Sequence, residues 1–152
     1  MKNKWKLILC VVLAVAAVWA AKSIASYNRT SIKWARSLQA ANVAKIEMTV
    51  FPSEEGKYYK VFDKEDTAWI VDIINGAEGK YVPRPDEIEG GMKTLYVVMK
   101  DGTVHKMSNN GNRYLVIDGD SYKTDSKYLS DMWEELGTGE SEIPGIIPYI
   151  EW

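Results

Sequence analysis

The chain is expected to fold as α+β. An antiparallel sheet of about five or six strands, in β-β-α-β-β-β-β-α order, carries two helices packed on one face and is preceded by a transmembrane or signal helix. Three observations lead there. Short runs of alternating apolar and polar residues are separated by brief Gly, Asn and Asp turns, which favours antiparallel pairing over long crossovers. Two other segments repeat apolar residues at helical spacing. Fifteen uncharged residues, 7–21, match neither pattern. Two amphipathic helices covering one sheet face make a two-layer sandwich.

The apolar segment comes first. Lys2, Lys4 and Lys6 precede it, the order of charged and apolar regions in an export signal. Its length is short of the roughly 20 residues that cross a ~30 Å hydrocarbon core. Trp5, Trp19 and the snorkelling Lys6 and Lys22 extend it to a membrane contact through residues 5–22. Residues 1–25 therefore read as a membrane anchor or as a signal peptide cleaved after Ala20 or Ala25. Lys22, Arg29, Lys33 and Arg36 put positive charge after the segment as well as before it. A short basic start ahead of a first apolar segment still favours a cytoplasmic start and an extracytoplasmic domain. Leu7-Ile8-Leu9-Cys10 is not a lipid-attachment signal, because the apolar region follows the cysteine and Leu9 is bulky.

Residues 26–44 read as a basic helical stalk or first helix with Ile32, Trp34, Ala35, Leu38 and Ala41 near one face, the functional alternative being a membrane-surface helix whose cations meet anionic lipid. The α+β domain is expected over 45–137. Ile46, Met48 and Val50 alternate with Glu47 and Thr49, and residues 58–62 return as the second strand of a hairpin. Asp63 is placed to cap a helix over 64–74, with Ala68, Trp69, Ile70, Ile73 and Ile74 on its core side and Asn75-Gly76 at its end. Residues 77–91, with two prolines and three glycines, form a long crossing loop. Strands follow at 92–100, 103–108, 113–118 and 121–124, joined by Asp101-Gly102, by 109–112 and by Gly119-Asp120. Asp125 caps the last helix, where Leu129, Met132, Trp133 and Leu136 fall at i, i+3, i+4 and i+7 before Gly137. Residues 138–152 form a proline-containing tail too apolar to stay in solvent, expected to dock on the domain or on a partner.

Charge narrows the functions. Residues 1–46 hold eight basic residues and no acid, which leaves eleven basic against twenty-one acidic residues beyond them. A balance of −10 there disfavours a phosphate backbone, so no nucleic-acid partner is expected. Cys10 is the only cysteine, which excludes an intrachain disulfide and a cysteine zinc site. Gly90-Gly91 and Asn109-Asn110-Gly111-Asn112 lack the strand-to-helix setting of a phosphate cradle, and no cofactor is implied.

No catalytic, cofactor-binding or metal set is assembled. His105, the only histidine, lies on a strand opposite Val97 or Val98 and reads as a half-buried structural residue. Asp118, Asp120 and Asp125 gather near a turn, where turn and capping chemistry account for them without calcium. Glu54 and Glu55, and Asp86, Glu87 and Glu89, read as solvated loop charge. Tyr58, Tyr59, Tyr81, Tyr96 and Tyr114 are candidates for a surface aromatic site, with packing the plainer role.

The run Val116-Ile117-Asp118-Gly119-Asp120-Ser121-Tyr122-Lys123-Thr124, the helix over 64–74 and the Lys100-Asp101-Gly102-Thr103 hairpin resemble small exported, lipoprotein-like or membrane-anchored α+β domains of Gram-positive bacteria. The likeness covers the layout of residues 44–136, and this chain departs from it in lacking a lipobox. The resemblance implies a cell-envelope location and a non-enzymatic role, with no site residues to carry over. The expected function is an extracytoplasmic binding module for an envelope protein or glycan. The alternatives are an extracytoplasmic enzyme using His105 and a carboxylate, and a sensory or inhibitory domain paired with a membrane protein.

Overall fold

The computed structural model describes residues 2–27, 29–53, 56–86, 91–137 and 148–150. Helix α1 spans Lys2–Tyr27 and α2 spans Thr30–Ser37, followed by strands β1 (Val43–Ser53) and β2 (Gly56–Val61). Helix α3 (Thr67–Asn75) and strand β3 (Lys80–Tyr81) lead into β4 (Met92–Met99), β5 (Val104–Asn110), β6 (Tyr114–Ile117), β7 (Asp120–Lys123) and helix α4 (Ser126–Leu136). The seven strands form one antiparallel sheet in the order β2-β1-β4-β5-β6-β7-β3. The α+β class and the helix-covered antiparallel sheet are as expected from the sequence.

Strand alternation sets the two faces. Ile46, Met48 and Val50 of β1 join Leu95, Val97, Met107, Leu115 and Ile117 beneath the helices. Onto this layer α3 places Ile70, Val71 and Ile74, and α4 places Leu129, Met132, Trp133 and Leu136. Each fully buried aliphatic side chain contributes about 1.5–3 kcal/mol. Asp125 caps α4 by accepting from the Lys127 N–H.

The turns follow their residues. Asp118 (φ +50) and Gly119 (φ +85) are both left-handed, the two-residue hairpin geometry that Asp-Gly adopts without strain. β5 runs two residues past the expected end because Asn109 and Asn110 pair with Leu115 and Tyr114 of β6, a pairing flanked by bonds of the Asn109 amide. Its Oδ1 accepts from the Lys93 N–H at 2.7 Å and its Nδ2 donates to the Gly111 carbonyl at 2.9 Å.

Four expectations are corrected. The 26–44 stalk is part of the fold, since Ile32 and Ala35 of α2 are completely buried and Val43 already belongs to β1. It therefore adds a third helix to the layer over the sheet. Trp69 points outward, 43% exposed, because a 100° step per residue puts it off the Ile70, Val71 and Ile74 stripe. The segment over 64–74 opens with a 3₁₀ turn at Lys64–Asp66, and Asp63 makes no side-chain cap. Finally, the crossing loop 77–91 contains β3, which pairs with β7 through Lys80 opposite Lys123 and Tyr81 opposite Tyr122.

α1 contains a 19-residue stretch, Lys4–Lys22, apolar enough to cross a membrane, with none of it buried against the protein. At 1.5 Å per residue that stretch is about 28 Å long, close to the hydrocarbon thickness. The uncharged run 7–21 is thus the middle of a longer continuous helix. Beyond it, Arg29 pairs with Asp120 at 3.1 Å, and its guanidinium lies 3.6 Å from the Tyr81 ring centroid. Ser31 Oγ donates to Asp120 Oδ2 at 2.8 Å and lies 2.5 Å from Tyr122 Oη. These contacts fasten the start of α2 to the β3–β7 edge.

Candidate functional site

The sheet face away from the helices carries the most unusual chemistry. β1 turns Lys45, Glu47 and Thr49 to that side, where Glu47 is directly opposite Tyr96 on β4 and Val61 on β2, and Thr49 is opposite Tyr59. Glu47 is only 1% exposed. An isolated carboxylate so buried would be neutral, and it stays ionised only where donors replace water. Three do so. Glu47 Oε1 accepts from Tyr59 Oη at 2.5 Å and from Lys45 Nζ at 2.9 Å, and Oε2 accepts from Tyr149 Oη.

Around the carboxylate, Tyr59, Tyr96 and Ile150 form a second small apolar cluster with Val104 and Tyr149 against it. Tyr149 and Tyr96 have ring centroids 6.1 Å apart, tilted by 48°. Lys45 Nζ is 5.5 Å from the Tyr149 ring centroid, and Lys106 Nζ is 5.9 Å from that of Tyr96. Residues 149 and 150 therefore dock on the domain, as one of the two expectations for the tail had it. Ile143, Ile146, Ile147 and Trp152 lie outside the described residues.

The electrostatics follow from the contacts. Burial pushes the Glu47 carboxyl up, but the Tyr149 and Tyr59 hydroxyls and the Lys45 ammonium outweigh it and hold the group below its ordinary value. Burial and the nearby Glu47 carboxylate raise the Tyr59 and Tyr149 hydroxyls, so both stay protonated donors. Hydrogen bonds to Tyr149 and Glu47 raise the Lys45 ammonium. A carboxylate held ionised by two tyrosine hydroxyls and an ammonium is a poor general base, since its proton affinity is lowered. It is a good acceptor for a hydroxyl donor.

His105 is in a different place, on the helix side opposite Val97. Its Nδ1 is 2.7 Å from Asp118 Oδ2, and the Trp34 ring of α2 stacks on it at 3.9 Å between centroids. Asp118 Oδ1 also accepts from the Lys106 N–H, tying the pair into the hairpin. Asp118 is the carboxylate a His105 enzyme would require. Among the described residues, however, no serine, threonine or cysteine side chain hydrogen-bonds the imidazole. The arrangement clips α2 to the sheet.

Asp118, Asp120 and Asp125 take separate partners: His105, the Arg29 and Ser31 pair, and the Lys127 N–H. No group of three or more His, Cys, Asp or Glu among the described residues is set to hold a metal. Tyr59, Tyr96 and Tyr114 are buried, and Tyr58 and Tyr81 pack on the main core. Asp86 accepts from Tyr114 Oη at 3.3 Å. Glu54, Glu55, Glu87 and Glu89 lie outside the described residues.

Glu47 was not singled out in the sequence because strand alternation assigns it to the solvent side. The signal was one step further. The β1–β4 register that aligns Ile46 with Val97 also aligns Glu47 with Tyr96, and the β1–β2 hairpin sets Thr49 opposite Tyr59, aromatic residues where a solvated face would not need them.

No protein-family model matches this chain, and neither a curated protein nor a solved structure matches it.

Proposed function

We propose that this protein is a membrane-tethered binding module that works outside the cytoplasm and recognises an envelope protein through the sheet face opposite its helices. The observation that carries the reading is Glu47, a carboxylate kept buried and ionised on a face rich in tyrosine. Burying a charge is expensive, and replacing a buried ion pair with apolar residues is often neutral or stabilising, so stability alone is a weak reason to keep one. Recognition of a hydroxyl donor is a stronger reason. A protein ligand is favoured over a glycan because the face already seats a stretch of polypeptide, Tyr149 and Ile150. The tether is α1, whose apolar stretch matches a bilayer in length. The basic residues before that stretch favour a cytoplasmic start, which puts the acidic domain outside.

Photo-cross-linking in intact cells tests this. Val61 is on the same face as Glu47 and 51% exposed, and Trp69 provides a control on the helix side. A photoreactive residue at 61 is expected to capture an envelope protein, and Glu47→Gln is expected to reduce the capture at least tenfold. Equal capture from position 69, or capture indifferent to Glu47→Gln, would contradict the reading.

A further inference from the structure

The sheet edge next to α1 carries a second contact, on the premise of the proposed function that Lys4–Lys22 lies in a bilayer. Trp19 is one turn from the end of that stretch, the depth at which tryptophan sits among lipid headgroups. Lys80 Nζ of β3 is 5.6 Å from the centroid of the Trp19 ring. Just past the end of α1, Arg29 pairs with Asp120 of β7, and Ser31 Oγ donates to the same carboxylate. Both contacts hold the β3–β7 edge at the level of the headgroups.

That edge is basic on an acidic domain. Lys80 is directly opposite Lys123 of β7, both side chains are exposed, and neither pairs with a carboxylate among the described residues. Lys22 joins them, since a spacing of i, i+3 puts it on the same face of α1 as Trp19. Beyond residue 46 the chain holds eleven basic against twenty-one acidic residues, so two facing lysines without an acid run against its composition. Like charges directly opposite each other in a sheet are destabilising. Lysine on an edge strand guards against pairing with another chain, which accounts for Lys80. It does not account for Lys123, because β7 is paired on both sides, with β6 and with β3. An anion between the two ammonium groups turns their repulsion into attraction.

We propose that Lys80 and Lys123, with Lys22, form a headgroup site for an anionic phospholipid, seating the β3–β7 edge on the bilayer that holds α1. The lipid phosphate oxygens accept from the ammonium groups, which carry three donors each. The site also orients the domain. An anionic membrane repels an acidic body, and a basic edge beside the tether turns the acidic remainder away from the lipid.

The test is lysine acetylation of the full-length protein in nanodiscs, followed residue by residue by mass spectrometry. Discs of phosphatidylcholine alone are compared with discs that also contain phosphatidylglycerol. Lys80 and Lys123 are expected to react about fivefold more slowly in the anionic discs. Lys64, which follows β2 at the other end of the strand order, should react equally in both. In Lys80→Gln protein, Lys123 should lose most of its protection. Equal rates at Lys80 and Lys123 in the two lipids, or a slowing shared by Lys64, overturns the proposal. Protection in phosphatidylcholine discs on adding inorganic phosphate would make the ligand a free anion and overturn the lipid assignment. External protease on the same discs separates the proposal from its premise. If residues 5–22 stay protected while the lysine rates are unchanged, the tether stands and only the headgroup site falls. If residues 5–22 are digested as well, both fall.

Discussion

Glu47 ties the stability of the open face to pH. Its carboxyl sits below the ordinary value of 4.5 in the folded chain because the Tyr149, Tyr59 and Lys45 donors outweigh burial. A group whose folded value is lowered contributes stability above its unfolded value and loses it as pH falls through the folded one. Glu47→Gln is therefore expected to cost about 1–3 kcal/mol at pH 7, the scale of a hydrogen-bonded charged group. The gap from the wild type should narrow as pH falls from about 4.5. Urea unfolding from pH 7 to pH 2 measures this, and a gap that stays constant would contradict it. On the alkaline side the sign reverses. Burial raises the Tyr59, Tyr122 and Tyr149 hydroxyls, and it raises Tyr128 to about 12, so their contribution is present below pH 10 and fades above it. His105 belongs to a different balance. His105→Ala removes the Asp118 contact and the Trp34 stack together. It is expected to lower stability by about 1–3 kcal/mol without changing capture from position 61.

The short strand β3 rests on one residue. Gly79 has φ +142, and a Cβ there would meet Tyr122 Cβ at 2.9 Å and the Lys123 carbonyl oxygen at 3.0 Å. Both are parts of β7 that cannot yield. Gly79→Ala is expected to push β3 off the sheet edge and disturb Tyr122, Ser31 and Asp120, at a cost of about 2–4 kcal/mol. Faster amide exchange at Val82, whose N–H donates to the Ser121 carbonyl at 2.8 Å, would report it directly. Unchanged exchange there would refute it. β3 was not legible in the sequence because two residues carry no period, and its pairing depends on that close approach rather than on an apolar pattern. α4 was legible because its four core residues, its Asp125 cap and Gly137 agree. α2 was read as stalk or first helix because its pattern alone does not say what it packs on; its burial goes with long-range contacts to β7, through Ser31 and Arg29, which no local pattern encodes.

At the scale of the whole molecule, the sheet divides the protein into a helix-packed side and a side on which, among the described residues, Tyr149 and Ile150 dock. The first was legible because periodicity and capping report local structure, and the main core follows from them. The second was not, because Glu47, Tyr59, Tyr96 and Tyr149 meet only through strand register and a contact spanning most of the domain. Arg29 holds the start of α2 to this body, and Lys80 Nζ of β3 comes within 5.6 Å of the ring centroid of Trp19 in α1. The proposed role depends on which side of the membrane the domain occupies. The measurement that tests it most directly is protease accessibility of a tag after residue 152 in intact cells, combined with mass determination of the N-terminus in the membrane fraction. A tag digested from outside on a membrane-bound chain that retains residues 5–22 is the expected result. A tag protected in intact cells and digested only after lysis would place the domain in the cytoplasm and contradict an envelope role.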